Sequence, residues 1–238
     1  MKSGLPSAPA RGPAASAIRV CASFAGYWVS GFLAYRRRAG SRFWSSPALG
    51  APGANMNLHP QDLEKITHLT LEHYNQCAEE FWQGTRNHDV RQNIRALLQY
   101  IEGMPPFTIL DFGCGPGRDL KVFAELGHIA VGLEGAAHFA AMARAHSGCD
   151  VWQQDFLKLD LPDNHFDGVF ANAALFHVPS QELPRVLLEL HACLKPSGVL
   201  FSSNPRGHNR KVETAGATAY IMTLRRGAAM CQLRGSSN

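Results

Sequence analysis

The chain has 238 residues, 45% apolar and 18% charged, with a formal net charge of +4. This is a globular composition, long enough for one domain with extensions, and not that of a disordered chain. The charge is uneven: residues 1–61 hold seven Lys/Arg and no acid, residues 62–205 ten basic and eighteen acidic residues, and residues 206–238 six basic and one acidic. The acidic middle argues against a surface that tracks phosphates, so no nucleic-acid partner is expected.

Residues 1–55 are rich in Ala, Gly, Ser, Pro and Arg and are expected to form a disordered basic extension. Val20 to Tyr35 is uncharged over 16 residues, but Ser23, Gly26, Ser30 and Gly31 interrupt it and Arg36, Arg37 and Arg38 follow. No uncharged apolar run reaches the ~18–20 residues a bilayer span requires, so no stable membrane insertion is expected. A transit peptide and a weak membrane anchor both fit this segment. The reading adopted is an upstream extension before a start at Met56, with a cytoplasmic protein as the result; a transit peptide would send it to the mitochondrial matrix. The six cysteines (21, 77, 114, 149, 193 and 231) form no C-x-x-C pair, and no H-E-x-x-H occurs, so neither a zinc site nor a disulfide framework is expected.

The domain is expected over residues 56–205. Leu63, Ile66, Leu69, Tyr74, Cys77 and Phe81 recur near helical spacing and predict a helix over 61–83. A second helix is predicted from Val90 to Glu102, stopped by Pro105-Pro106. Strands and helices then alternate: strand 107–112, a glycine-rich turn at Gly113–Gly117, helix 118–126, strand 129–134, helix 136–146, strand 150–154, strand 166–172, helix 181–194 and strand 198–203. Strands separated by helices give an α/β fold with a doubly wound, mostly parallel sheet and helices on both faces. Ligands of such sheets bind at the carboxyl ends of the strands, near the switch in strand order. Residues 206–238 break the pattern, with only Ala219 to Leu224 as a possible strand, and are expected to be an atypical basic tail.

Three positions carry the chemistry. Leu110-Asp111-Phe112-Gly113-Cys114-Gly115-Pro116-Gly117-Arg118-Asp119 closes the first strand. Its alternating glycines allow a tight turn and close backbone approach to a ligand, and the next helix points N–H groups at the same place. A dinucleotide fingerprint would need a third glycine where Arg118 stands. A carboxylate at Asp111 would repel a pyrophosphate and suits a ligand with a positive amino group. Glu134 ends the second strand, where an acid accepts hydrogen bonds from ribose hydroxyls. Asp155 and Phe156 follow the third strand; the carboxylate can take a bond from an exocyclic amine and the next backbone N–H can serve a ring nitrogen, a pattern that suits adenine.

These residues resemble the class I S-adenosylmethionine-dependent methyltransferases, in particular the small-molecule group that includes the ubiquinone and menaquinone biosynthesis enzymes, over about residues 70–205. The resemblance implies a Rossmann-like fold and S-adenosylmethionine as cofactor. It implies that the turn at Gly113, Cys114, Gly115 and Gly117 wraps the methionine part, with Cys114 as a small packing side chain. Asp111 would help hold that region, Glu134 would bind ribose, and Asp155 with Phe156 adenine. Asn172 and Ala173 would lie near the cofactor's amino-acid moiety and the reacting centre, and Tyr74 would close over the methionine end. The implied reaction is in-line methyl transfer to a small-molecule acceptor, in which positioning dominates. His177, after the fourth strand, is the candidate general base. The alternative is a non-catalytic cofactor-binding or interaction protein with an incomplete substrate site. Nothing in the sequence specifies the acceptor or an oligomeric state.

One departure stands out. The family's sheet has seven strands, the last two a hairpin, whereas the residues after Arg206 do not supply them. The expectation is therefore that strands six and seven are missing or replaced and that the fifth strand is an exposed edge, an aggregation liability.

Overall fold

The computed structural model describes residues 58–205, together with the backbone course of three short strands at 30–36, 210–214 and 217–221. In chain order the elements are β1 (Ser30–Arg36), α1 (Pro60–Gln76), α2 (Ala78–Thr85), α3 (Arg91–Leu98), β2 (Thr108–Phe112), α4 (Arg118–Glu125), β3 (Ile129–Glu134), α5 (Ala137–Ser147), β4 (Asp150–Gln153), β5 (Phe166–Asn172), a 3-10 turn (Leu175–His177), α6 (Leu183–Cys193), β6 (Leu194–Pro205), β7 (Arg210–Thr214) and β8 (Ala217–Ile221). The fold is α/β and Rossmann-like, as expected. Five parallel strands, β2 to β6, form the sheet in the order β6-β5-β2-β3-β4.

Strict alternation along the central strands builds two cores. Ile109, Phe170, Val199 and Phe201 face one side and pack with Ile94 and Leu97 of α3, Leu120 and Phe123 of α4, and Ala140 and Ala143 of α5. Leu110, Phe112, Val169, Ala171 and Leu200 face the other and pack with Val186 and Leu190 of α6. Strands buried on both faces read as continuous apolar runs because every side chain finds a helix. The order reverses between β2 and β5, which opens a crevice at their carboxyl ends.

Three expectations need correction. The predicted helix 61–83 is two helices broken at Cys77. Beside the break the Asn75 carbonyl lies 3.1 Å from His138 Nδ1 on α5, and the Asn75 side chain accepts from the His138 N–H at 2.9 Å. The predicted helix 90–102 ends at Leu98, where the Tyr100 and Ile101 N–H groups donate three residues back rather than four. Finally, the fifth strand of the parallel set is not an open edge: β1, from the basic N-terminal stretch, pairs antiparallel with β6 over seven residues, from Ser30 opposite Pro205 to Arg36 opposite Val199. Beyond β6, β7 and β8 pair with each other as a separate two-stranded sheet, and β8 runs beside α1 and the 3-10 turn. The possible strand at Ala219–Leu224 thus belongs to a hairpin that begins earlier. Apart from β1, the candidate targeting segment lies outside the described residues, as does the start at Met56.

Candidate functional site

A cleft of about 620 Å³ lies above the switch point, within the range of small-molecule and cofactor pockets. Of the residues singled out from the sequence, Tyr74, Gly113, Cys114, Gly115, Glu134, Asp155, Phe156, Asn172, Ala173 and His177 all line it. They come from α1, from the carboxyl ends of four strands and from the 3-10 turn that follows β5. Asp111 and Gly117 do not line it and lie beneath and behind the turn.

The glycine turn is held by its neighbours. Gly113, Gly115 and Gly117 all have positive φ, at 75°, 53° and 88°, a region costly for residues with a Cβ. A Cβ on Gly113 would stand 2.6 Å from Ala174 Cβ, and one on Gly117 would stand 2.8 Å from Ala143 Cα. Gly117 thus lets α4 and α5 touch, while Gly113 lets the turn pass under the β5 loop. A Cβ on Gly115 would meet nothing within 4 Å, so there the backbone borders open space in the cleft.

Glu134 is buried and ties the turn down. Its Oε2 accepts from the Gly115 N–H and its Oε1 from the Ala136 N–H, both at 2.9 Å. Desolvation pushes its carboxyl above the usual range, opposed by these backbone bonds. Each oxygen keeps a further lone pair for a ligand hydroxyl. Asp155 uses Oδ1 to accept from the Leu157 N–H at 2.8 Å, which shapes its loop, and Phe156 stacks on Phe112 at 4.3 Å between ring centroids.

Below the turn, Asp111 is 2% exposed and its Oδ2 is buried with no hydrogen-bond partner. Desolvation first, and then repulsion from Asp119, push its carboxyl well above the ordinary carboxylate range. Burial, with the charges of Asp111 and Glu134, likewise raises the Cys114 thiol, which leaves it protonated and poorly nucleophilic, as expected of a packing residue.

A polar network that sequence reasoning missed organises the floor. The Asn172 amide donates to Asp119 Oδ2 at 3.0 Å, and its Oδ1 accepts from Asn93 Nδ2 at 3.0 Å and from Ser203 Oγ at 2.5 Å. Arg118 forks onto Asp119 at 2.7 and 3.0 Å and donates to the Thr85 carbonyl at 3.0 Å. Burial pulls the Arg118 guanidinium down, but the Asp119 partner carries it above its usual value. Arg118 and Asp119 stood next to the glycine turn in sequence. Asn93 and Ser203 carry no local signal, because only the fold brings α3 and the end of β6 to this point. Ala173 has φ +56° without being glycine; its N–H donates to the Ser203 carbonyl at 2.8 Å, which helps hold a sparsely populated backbone conformation.

At the mouth, Tyr74 Oη lies 3.1 Å from His177 Nε2. Tyr74 also packs against Phe81 and Phe139. Burial, followed by the charges of Cys77 and Glu134, pushes the Tyr74 phenol up to about 12. The phenol therefore stays protonated at neutral pH, and it is the donor to Nε2 in the tautomer that carries the ring proton on Nδ1.

The donor set fits an S-adenosylmethionine-type cofactor: a backbone cradle open at Gly115, carboxylates at Glu134 and Asp155 with acceptor capacity to spare, and an unpartnered buried oxygen on Asp111. Comparison with known proteins agrees. Residues 110–202 match the family described as "Methyltransferase domain", so the resemblance seen in the motif holds over that segment. A sterol 24-C-methyltransferase of Yarrowia lipolytica is 33% identical over 131 residues, 51% of this chain and 32% of that protein. A trans-aconitate 2-methyltransferase of Azoarcus sp. is 33% identical over 117 residues, 48% of this chain and 46% of that protein. The chain thus covers 32% and 46% of the length of these two relatives. The solved structure of a 1,6-didemethyltoxoflavin-N1-methyltransferase of Burkholderia thailandensis, with bound 1,6-didemethyltoxoflavin and S-adenosylhomocysteine, superposes with a TM-score of 0.56 at 20% identity, over 73% of this chain and 77% of that one.

Proposed function

We propose that this chain is an S-adenosylmethionine-dependent methyltransferase acting on a small-molecule acceptor, with residues 56–205 as the cofactor-binding domain. The observation that carries this reading is the convergence of the glycine turn, Glu134, Asp155 and Asn172, from four strand ends, on one cleft at the switch point. S-adenosylmethionine, when bound, supplies a methyl group already activated on a sulfonium, so no covalent nucleophile is needed from the protein.

In this reading Gly113, Cys114 and Gly115 cradle the amino-acid end, Gly117 holds the turn against α5 from behind, and Asp111 supports it from below as an acceptor for its ammonium group. Glu134 takes the ribose hydroxyls, and Asp155 with the Phe156 backbone takes adenine. Asn172 and Ala173, fixed by the floor network, line the reacting centre. Tyr74 and His177 act together. With His177 in the Nδ1–H tautomer the phenol donates to Nε2, and a proton leaving an acceptor hydroxyl or amine passes to the Tyr74 oxygen while the phenol proton passes to His177. His177 is thus the terminal base and Tyr74 the group that meets the acceptor.

The compartment proposed is the cytoplasm. Cys77, Cys114, Cys149 and Cys193 are all free thiols, which suits a reducing compartment. Among the described residues no helix is long and apolar enough to cross a membrane. No nucleic-acid partner is proposed, because the domain is acidic.

Calorimetry with S-adenosylhomocysteine, set against a nicotinamide dinucleotide, tests the cofactor. Heat with the first alone is expected; heat with the second alone overturns the reading. For the base, His177→Ala is expected to lower turnover far more than cofactor affinity, and equal loss of both rejects that role.

A further inference from the structure

The N-terminal strand leads to the floor of the cleft. β1 is the one antiparallel strand of the six-stranded sheet and occupies the free side of β6. Its sequence, Ser-Gly-Phe-Leu-Ala-Tyr-Arg, carries residues that favour strands. The pairing register sets Phe32 directly opposite Ser203, and on the other side of β6 Ser203 pairs with Asn172. Ser203 is therefore gripped from both sides. It is also 2% exposed, donates its hydroxyl to Asn172 Oδ1 and accepts the Ala173 N–H. The two cleft-floor residues at the end of β5 thus both bond to Ser203, one of the seven β6 residues that β1 backs.

We propose that Ser30–Arg36 is an integral strand of this domain, supplied by the chain's own N-terminus, and that it positions the cleft floor through Ser203. A strand whose outer N–H and C=O groups are left to water frays and slips register more readily than one paired on both sides. With β1 in place, both ladders of β6 are closed where it meets Asn172 and Ala173. The 21 residues between Arg36 and Leu58 span up to roughly 70 Å when extended, ample for a segment of the same chain to reach this edge. The proposal replaces the removable extension expected from the sequence with a structural segment. Any leader that is cleaved must end before Ser30. The link to cofactor binding rests on the methyltransferase reading; the strand pairing does not.

The test uses the full chain. Leu33→Pro combined with Ala34→Pro removes adjacent N–H groups, so one of them belongs to the β6 ladder whichever way the pattern falls. Leu33→Val with Ala34→Val is the strand-compatible control. The proline variant is expected to exchange its amides at Leu200–Asn204 at least tenfold faster and to bind S-adenosylhomocysteine about tenfold more weakly, while the valine variant matches the parent. Independently, Leu33→Cys with Ser202→Cys places two cysteines directly opposite, within disulfide reach. Mild oxidation and peptide mapping are expected to give an intramolecular 33–202 bond, absent from either single variant. Unchanged exchange and affinity in the proline variant, failure of the 33–202 bond to form, or a bond that joins two copies of the chain would each overturn the proposal. If the proline variant does not fold, the cross-link decides. If the parent protein binds no S-adenosylhomocysteine, the methyltransferase reading fails, and exchange and cross-linking still judge the strand.

Discussion

The two sides of the cleft are built differently. The side formed by Gly113–Gly117, Glu134 and Asp155 is made of consecutive strand ends, each functional residue sitting where a strand of the sheet must turn into a loop. The side formed by Tyr74, Phe81, Asn93 and His177 is assembled from α1, α2, α3 and the 3-10 turn, and no single local pattern links the four. On the first side local chain geometry fixes the site; on the second side packing does. A substitution on the strand-end side should therefore act through backbone strain and charge, and one on the helical side through the loss of single contacts.

The largest effect is expected at Gly113. Alanine there must keep φ near +75° and place its Cβ 2.6 Å from Ala174 Cβ. Backbone strain and overpacking together cost about 2–5 kcal/mol, or roughly 5–15 °C in melting temperature. Thermal melting of Gly113→Ala checks this, and an unchanged melting point would break the claim that the turn is fixed by its own backbone.

Asp111→Asn separates charge from shape. Burial and Asp119 hold the Asp111 carboxyl high, so the folded state prefers it protonated. Its share of stability is complete at pH values below the unfolded carboxylate range and is lost as pH rises through the raised value. The asparagine variant is expected to melt at the same or a higher temperature than the parent at pH 7 and to show a flatter profile toward acid. Its affinity for S-adenosylhomocysteine should fall about tenfold, one charge-assisted hydrogen bond's worth. In the parent, that affinity should rise with pH as Asp111 ionises. A variant that melts well below the parent at pH 7 yet binds equally well would show that Asp111 serves the core and not the ligand.

The smallest effect is expected on the helical side. Asn93→Ala removes one of the two donors to Asn172 Oδ1 and leaves Ser203 Oγ in place. A loss of about 1 kcal/mol predicts a three- to tenfold rise in the dissociation constant of S-adenosylhomocysteine, measured by calorimetry, with little change in melting. A hundredfold loss would mean that α3, too, is part of the fixed frame, and the contrast between the two sides would disappear.

Much of the strand-end side was legible from the sequence because its signals are short in range. Alternating glycines, an acid inside the strand end, and Glu134 at nineteen residues from Gly115 all follow from one strand–turn–helix–strand unit. The break at Cys77 was not legible, because the apolar pattern runs straight through it and the contacts that flank it, from Asn75 to His138, span sixty-three residues. The pairing of Tyr74 with His177, 103 residues apart, was likewise beyond any local pattern, although both residues were named as candidates separately.

The sequence by itself determined the α/β class, the central strands and the cofactor-facing turn, because hydrophobic period and backbone constraints at glycine act within a few residues. Only the tertiary structure decided what covers β6, which groups fix Asn172, and which nitrogen of His177 is engaged. Those depend on strand pairing and side-chain bonds between segments that meet only once the chain has folded, and the strand over β6 came from a stretch whose composition had suggested no structure.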